Sequence, residues 1–311
     1  MQGGIAQDSK THGCLRFDCA QVLLQILSNV GSLGDLHSFF CASQGMLGLA
    51  ADPVLKACWL TKHRQFRAVD LAARKGGADV MIHLLRMGSV SATERAPHVP
   101  YVSFLFRVQH LTPIEIAVRE NLPEVVTYLL SRSDVRADVA GATSALHSAA
   151  RFNHVGCLQV LLAPNSPVNA NCLYQNVSPL HSAAGNASLE AVQLLLSRGV
   201  VCTVRDRDGS TPLHNVCWCD SGKKAERAQI LGLLLESGGD SVMNAQNNDG
   251  YTPLHFAVST KLPQCCKQLL RAGSQASFSI RDENGKTPLE IAFQKRNNCR
   301  VVLLRYASSN R

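Results

Sequence analysis

Ser178-Pro179-Leu180-His181 is the first of four closely similar strings that decide the fold of this 311-residue chain. The other three are Thr211-Pro212-Leu213-His214, Thr252-Pro253-Leu254-His255 and Thr287-Pro288-Leu289-Glu290. Weaker copies begin at Arg67, Thr112 and Ser144, and the spacing between strings is about 33 residues, with two longer intervals. A fixed period of this length indicates a stack of structural repeats rather than two ordinary domains.

Each string has the composition of a helix start. Ser or Thr can accept a hydrogen bond from a free N–H group of the first turn, and Pro is tolerated at the first helical position because its missing N–H has no partner there. Small residues follow where a neighbouring helix has to approach, and an apolar stretch returns about ten residues later. Each repeat is therefore predicted to hold a short helix, a turn and a longer apolar helix.

Tight turns are predicted between successive repeats, at Asp206–Gly209, Asn247–Gly250 and Asp282–Gly285. Asp-Gly and Asn-Gly sequences supply the positive φ angles that a tight hairpin needs. A single repeat cannot bury its own apolar face, so neighbouring repeats must stack. The predicted fold class is an all-α repeat solenoid, a stack of helix pairs with β-hairpin tips.

The Thr-Pro-Leu-His strings and the turns between them resemble ankyrin repeats. The resemblance is clear from Thr112 to Tyr306 and weaker over Phe66–Gly88. It implies a non-enzymatic protein–protein interaction module that presents the hairpin tips and first helices on a concave groove. It also implies that the recurring histidine of each string bonds the capping residue and nearby backbone. The histidines at this position are His147, His181, His214 and His255.

The repeats divide the chain into two predicted regions. Residues 1–60 are expected to form an atypical N-terminal helical capping region, with a small separate helical module as the alternative. Residues 61–311 are expected to form an ankyrin-repeat domain of about seven repeats, with inserts near 89–108 and 218–228. The first insert is either a lengthened hairpin or a partner-binding loop. The second is either a small basic patch or a solvated loop with an extended helix start; its cations are Lys223, Lys224 and Arg227.

Composition narrows the class of protein further. Apolar residues make up 46% and charged residues 17%, which is typical of a folded chain. The net charge of +8 is mild and spread over the chain, so binding to nucleic acid is not expected. No apolar run is long enough for membrane insertion, and no secretory signal is visible, which favours a cytoplasmic or nuclear protein. Six of the twelve cysteines occupy positions for small apolar residues, so free thiols are expected.

Motifs for chemistry are not found. Paired carboxylates, a nucleophile beside a base and a phosphate-binding glycine loop are all missing as patterns. The cysteines do not recur as C-x-x-C pairs, which argues against zinc. We therefore predict no catalytic residues, no metal, no cofactor and no small-molecule substrate.

The expected working surface consists of the hairpin tips and the exposed side of the first helices. Tyr, Trp and Arg side chains dominate the energetics of protein interfaces. The residues of these positions predicted to contact a partner are Tyr174, Arg205, Arg207, Asn248, Tyr251, Arg151, Phe152 and Trp218. Trp218 and the nearby Phe256 have an alternative role in packing between repeats. The predicted function is an intracellular adaptor or scaffold; the alternative is a regulatory stack that sequesters a transcription factor or binds nucleic acid through its basic surface.

Overall fold

A computed structural model describes residues 72–87, 111–218, 222–238, 240–273 and 275–309. The chain forms two compact units, residues 1–129 and 130–311. The predicted capping region, 1–60, and the first predicted insert, 89–108, lie outside the described residues.

The described part of the first unit is helical. It contains a π-helical turn, Ala72–Gly76, and the helices α1 (Gly77–Arg86), α2 (Pro113–Arg119) and α3 (Pro123–Ser131), of which α3 ends two residues inside the second unit. Helix α2 begins with a capping box, because the Thr112 N–H donates to Glu115 Oε2 at 2.7 Å and the Thr112 hydroxyl accepts from the Glu115 N–H. The string at Thr112 thus starts a helix as predicted.

The second unit consists of five helix pairs and three short helices in its described residues. In chain order these are α4 (Ser133–Ala137), α5 (Val139–Phe152), α6 (Val155–Leu161), α7 (Pro179–Gly185), α8 (Leu189–Ser197), α9 (Pro212–Trp218), α10 (Lys224–Gly238), α11 (Asp240–Met243), α12 (Pro253–Ser259), α13 (Pro263–Arg271), α14 (Gln275–Ser279), α15 (Pro288–Gln294) and α16 (Cys299–Ser309).

These pairs stack in two rows. The first helices α5, α7, α9, α12 and α15 each pack on the next in that order. The second helices α6, α8, α10, α13 and α16 do the same, and each also packs on its own first helix. Three of the leucines that follow the prolines, Leu180, Leu213 and Leu254, are buried in the core shared by neighbouring helices, whereas Leu289 of the last repeat is half-buried. Burial of one such side chain contributes about 1.5–3 kcal/mol, so each repeat is stabilised chiefly by its neighbours.

In three repeats the recurring histidine links the start of the first helix to the next repeat. His147 does not follow this prediction, because it lies inside α5 with its Nδ1 3.4 Å from Ser182 Oγ. In α9, His214 Nδ1 accepts from the Thr211 N–H at 3.0 Å, while His214 Nε2 lies 3.0 Å from the Tyr251 carbonyl oxygen of the following repeat. A carbonyl can only accept, so Nε2 carries the proton and the ring is neutral. His181 and His255 make equivalent bonds to the carbonyls of Ser210 and Lys286.

The string at Ser144 behaves differently from the others. Helix α5 begins at Val139, capped by Asp138, whose Oδ1 accepts from the Gly141 N–H at 3.1 Å. Ser144 therefore lies inside the helix instead of capping it. The string has Ala145 at the position where those at 112, 178, 211, 252 and 287 have Pro, so no proline prevents the helix from extending towards the N-terminus.

The predicted hairpin tips form closed turns, and in the described residues they contain no regular strand. At the second of them, Asn247 Oδ1 accepts from the N–H groups of Asp249 and Tyr251, at 3.1 and 2.8 Å. The Glu283 N–H donates to the Asp249 carbonyl at 3.1 Å, which joins one tip to the next. Gly250 has a φ of 74°, and a Cβ atom there would lie 3.0 Å from the Glu283 nitrogen. Glycine is thus needed both for the turn and for the close approach of the next tip.

Five of the turns between a first and a second helix each contain one residue in the left-handed conformation, with φ between 46° and 62°. In chain order these residues are Asn121, Asn153, Ala187, Lys261 and Arg296. The following residue donates its N–H to an alanine carbonyl five positions back, as Leu262 does to Ala257 at 2.9 Å. This is the bond pattern of a Schellman cap, in which Gly or Asn is usual at the left-handed position. The small residues predicted from the sequence supply these carbonyls.

The second predicted insert is partly helical. Residues 219–221 lie outside the described part, and residues 224–228 form the first turns of α10. Lys223 and Lys224 are exposed, but Arg227 is only 1% exposed and donates from Nη1 to the Val216 carbonyl at 2.5 Å. A basic patch that includes Arg227 is therefore wrong, because the arginine packs inward and donates to the backbone near the C-terminal end of α9.

Candidate partner-binding surface

The last residue of α7 and of α9 lies against the fourth residue of the next first helix. A Cβ atom at Gly185, the last residue of α7, would lie 3.8 Å from Asn215 Cβ in α9. One repeat further on, Trp218 at the end of α9 lies against Phe256 of α12. The exposed side of the first helices is therefore a continuous surface, and its side chains change from small at α7 to aromatic at α9 and α12.

An aromatic cluster, defined as Trp218, Phe256 and Tyr251, forms the most prominent feature of this surface. The rings of Trp218 and Phe256 meet edge to face, with centroids 5.1 Å apart and an interplanar angle of 82°. Phe256 also lies 5.5 Å from the Tyr251 ring and 5.6 Å from His214. Edge-to-face contacts of this kind stabilise the orientation of each ring. Trp218 is nevertheless 63% exposed, so the cluster holds a large indole ring towards the solvent.

Tyr251 is more enclosed than its predicted role suggested. Its ring is half-buried and packs on both Phe256 and His255, while its backbone carbonyl accepts the His214 bond. Burial, and then the negative charge of Asp282, raise the pKa of the Tyr251 hydroxyl. Tyr251 therefore supports the cluster, and its hydroxyl remains protonated at neutral pH.

The tip residues divide into those held within the stack and those left available. Arg205 Nη1 donates to the carbonyls of Gly209 at 3.2 Å and Gln246 at 2.6 Å. Gln246 repeats this arrangement one tip further on, with its Nε2 bonded to the Gly250 and Arg281 carbonyls. Arg205 thus belongs to a row of clamps that ties each tip to the next, whatever else it contacts.

Arg207 and Asn248 lie at neighbouring tips and are both exposed. Asn248 Nδ2 donates to the Arg207 carbonyl at 3.0 Å, which uses the amide group but leaves the Arg207 guanidinium facing outward. Of the predicted tip residues in this part of the stack, Arg207 is therefore the one best placed to contact a partner.

The remaining predicted residues form a separate group around α5. The Arg151 guanidinium lies 5.7 Å from the centroid of the exposed Phe152 ring, in cation–π geometry. Tyr174 closes a tip through a bridge with Val177, and its ring lies 5.8 Å from His147. The structure thus brings Trp218 and Tyr251 together through Phe256, and it places Arg151, Phe152 and Tyr174 two repeats away.

Phe256 is the residue that connects the predicted pieces. The sequence left open whether it packs between repeats or faces a partner, and the structure shows the packing role directly through its three ring contacts. Its position in the sequence, directly after the histidine of the third complete string, already indicated that it lies on a first helix. The ring contacts themselves depend on how neighbouring repeats stack, which the sequence does not display.

Four cysteines of the second unit lie in the interior of the stack. Cys217, Cys265, Cys266 and Cys299 are buried between repeats. Burial raises the pKa of Cys217 well above its usual value and that of Cys265 to about 11, so both thiols stay neutral. Such cysteines act as small apolar side chains. Within the described ranges, no three His, Cys, Asp or Glu side chains lie close enough to hold a metal ion.

Comparison with known proteins agrees with the repeat architecture. A family model described as ankyrin repeats, in three copies, matches residues 146–231 and 223–311, which together make up more than half of the chain. The chain belongs to the ankyrin-repeat family, as its sequence motifs and stacked helix pairs predicted.

Individual relatives share only part of their length with this chain. It is 31% identical to the mouse B-cell lymphoma 3 protein homolog over 191 residues, which is 60% of this chain and 40% of that protein. It is 33% identical to the ankyrin repeat protein FPV031 of fowlpox virus, over 52% of this chain and 46% of that protein. The tyrosine-protein kinase HTK16 of Hydra vulgaris is 29% identical over 50% of this chain, but the match covers only 20% of the kinase. The chain therefore spans less than half of each of these relatives.

Ankyrin repeats are protein-interaction modules, and the described stack presents a preformed surface of that kind. No helix in the described part of the chain is both long and apolar enough to cross a membrane.

Proposed function

We propose that this protein is an intracellular adaptor or scaffold that binds a partner protein through the exposed side of its first helices and the adjoining tips. The observation that carries the proposal is Trp218, which is 63% exposed although Phe256, itself packed on Tyr251, contacts its ring. Trp and Tyr are the residue types most enriched among the side chains that dominate binding energy.

Preorganisation supports this function. The edge-to-face contact restricts Trp218 before any partner arrives, and the tips are already joined by backbone hydrogen bonds such as Asn248 N–H to Asp208 O at 2.9 Å. A surface that is ordered in advance loses little conformational entropy on binding. The stack therefore acts as a rigid platform, and a partner needs to supply only a complementary pocket for the indole ring.

Arg207 and the group of Arg151, Phe152 and Tyr174 extend this surface in the proposal. Tyr174 lies at the tip before α7 and Arg207 at the tip before α9, one repeat further on, while Arg151 and Phe152 end α5. A partner that contacts both groups must therefore extend along successive repeats. Charged residues at the rim of an interface affect the association rate and specificity more than the affinity. We therefore assign most of the binding energy to Trp218 and a steering role to Arg207.

The proposed compartment is the cytoplasm or the nucleus. Every cysteine of the described residues is a free thiol, and most of them are buried. Disulfides are typical of oxidising compartments, so several free cysteines without a disulfide among the described residues support a reducing compartment.

Trp218→Ala in the full chain tests the proposal. Partners are captured from cells with the tagged wild-type chain and identified by mass spectrometry, and their affinities are then measured with purified proteins by calorimetry. Loss of a central tryptophan costs about 2 kcal/mol or more, which corresponds to at least about a 30-fold weaker Kd. The melting temperature should stay unchanged, because most of the indole surface faces solvent.

Leu304→Ala is the matched control. Leu304 is an apolar side chain of α16 with 42% exposure, and it lies outside the proposed surface. A partner that is lost equally from both variants depends on exposed apolar area in general. Retention of full affinity by Trp218→Ala for every captured partner would refute the proposal.

A further inference from the structure

The positive charge is not spread over the chain, as expected from the sequence, but is concentrated in the last two repeats. Residues 252–311 contain ten lysines and arginines and three carboxylates, a net charge of +7 against +8 for the whole chain. The residues from 201 to 251 are slightly acidic, which hides this concentration when the charge is averaged over a third of the chain. The positions of these cations in the fold decide whether they form a common surface.

Two of the cations occupy a backbone position that disfavours them. Lys261 and Arg296 are the left-handed residues of the last two inter-helix turns, with φ of 62° and 46°. Asn121 and Asn153 hold the same position in earlier repeats, and Asn and Gly are the residues that adopt this conformation at least cost. Long cationic side chains therefore replace the structurally preferred residue in successive turns. Backbone strain that the fold tolerates in this way is a feature of functional positions.

The two turns lie side by side. Lys295 Nζ donates to the Ser259 carbonyl at 3.4 Å, and Asn297 Nδ2 donates to the Val258 carbonyl at 2.7 Å, so the last turn is fastened to the end of α12 just before Lys261. Lys261, Lys295 and Arg296 are all exposed. These bonds bring the cations of both repeats onto one end of the stack.

An aromatic ring completes the surface. The Arg300 guanidinium lies 5.5 Å from the centroid of the Phe293 ring, and Phe293 is 47% exposed. We use the name basic turn face for Lys261, Lys295, Arg296, Arg300 and Phe293.

The carboxylates of these two repeats are placed elsewhere. Asp282 and Glu283 belong to a tip, where Asp282 Oδ1 accepts from the Asn284 and Lys286 N–H groups. Glu290 caps the start of α15 through Thr287 and also pairs with Arg281 at 3.3 Å. In the described residues of these repeats, no carboxylate therefore belongs to the turn end of the helix pairs.

We propose that the basic turn face binds an acidic segment of a partner protein that carries an aliphatic or aromatic side chain among its carboxylates. Exposed cations on two adjacent turns match the carboxylates, and Phe293 matches the apolar side chain. The face is distinct from the first-helix surface around Trp218, so the two sites can be occupied and tested separately.

An acidic peptide fits this face better than a nucleic acid does. The face offers four cations, whereas proteins that bind nucleic-acid backbones commonly make about 6–10 phosphate contacts. One face of the Phe293 ring is already covered by Arg300, which reduces the area on which a base could stack. Ankyrin repeats are protein-interaction modules, which is consistent with the same choice.

The test measures binding of a fluorescein-labelled peptide to the full chain by fluorescence anisotropy. The probe has about 12 residues, in which Asp and Glu alternate with Leu, and a control probe has Asn and Gln in place of the acids. Lys261→Asn/Arg296→Asn should weaken binding of the acidic probe at least tenfold. It should also leave the melting temperature unchanged or raise it, because Asn suits the left-handed turn.

Two controls separate this face from general charge and from turn geometry. Lys267→Asn/Arg271→Asn removes the same charge from α13, outside the face, and should change binding less than threefold. Ala187→Gly relaxes the corresponding left-handed turn of an earlier repeat without removing a cation, and should leave binding unchanged.

Three results would overturn the proposal: equal loss of binding from both double variants, tighter binding of a 12-nucleotide single-stranded DNA than of the acidic peptide, or a lower melting temperature for Lys261→Asn/Arg296→Asn. Trp218→Ala should not affect binding of the acidic probe. The basic turn face and the first-helix site are therefore tested independently, and refuting one proposal does not refute the other.

Discussion

Lowering the pH from 7 to 5.5 should destabilise the second unit through the buried histidines of its repeat strings. His214 is fully buried, and burial lowers its pKa to about 4; burial also lowers the pKa of His147 to about 4. The neutral ring is the one that fits, because Nδ1 of His214 must accept from the Thr211 N–H. A proton on Nδ1 would break that bond and place a charge in the core.

The sign and size of the effect follow from the difference between folded and unfolded pKa values. Between pH 6.5 and about 4 the unfolded chain binds more protons at these sites, so stability is complete above 6.5 and is lost as the pH falls through this range. For a pKa of about 4 in the folded state, each histidine costs about 1 kcal/mol between pH 7 and 5.5. His147 and His214 together give about 2 kcal/mol, and the lowered pKa values of His181 and His255 add to it.

Urea unfolding followed by circular dichroism measures this loss. With an m-value of about 2 kcal/mol/M, the midpoint should fall by about 1 M or more between pH 7 and 5.5. His214→Gln is the matched variant, because Gln suits the capping box but does not titrate. Its stability is lower at pH 7, yet its drop on acidification should be smaller than that of the wild-type chain by about 1 kcal/mol. An equal drop in both chains would show that other groups control the pH dependence.

Two further predictions concern residues whose environment is set by neighbouring repeats. Gly250→Ala should cost more stability than Gly285→Ala: both glycines have φ near 70°, but only at Gly250 would the new Cβ lie 3.0 Å from backbone of the next tip. Gly285→Ala should cost about 1 kcal/mol from its φ alone and Gly250→Ala about 1–3 kcal/mol more, measured by urea midpoints; equal costs would contradict the contact. Arg227→Ala should cost about 2–4 kcal/mol, because it leaves a cavity and an unpaired Val216 carbonyl, whereas Arg227→Met should recover part of that loss by filling the space. Identical stabilities of the Ala and Met variants would show that packing of the side-chain stem contributes nothing.

The capping and turn residues allowed the repeat to be predicted from the sequence. Thr-Pro-Leu favours a helix start, and Asp-x-x-Gly or Asn-x-x-Gly favours a tight turn. The helix starts after Thr252 and Thr287 and the tip at Gly250 were therefore all predictable from the sequence. The predicted helix start was wrong where the string lacks proline. At Ser144 the helix α5 begins earlier, at Val139, because Ala stands in place of Pro.

The role of each surface residue, by contrast, was decided by contacts between residues about a repeat apart in the chain. Arg205 and Arg227 look alike in the sequence, yet one clamps a tip to Gln246 and the other is buried against Val216. Trp218 is exposed, but its ring is oriented by an edge-to-face contact with Phe256, which lies 38 positions later in the chain. Turn and cap preferences act over a few neighbouring residues and repeat with the sequence, so the sequence alone determined the helix pairs and their stacking order. Exposure depends on which side chains the next repeat brings into contact, and only the tertiary structure determined that.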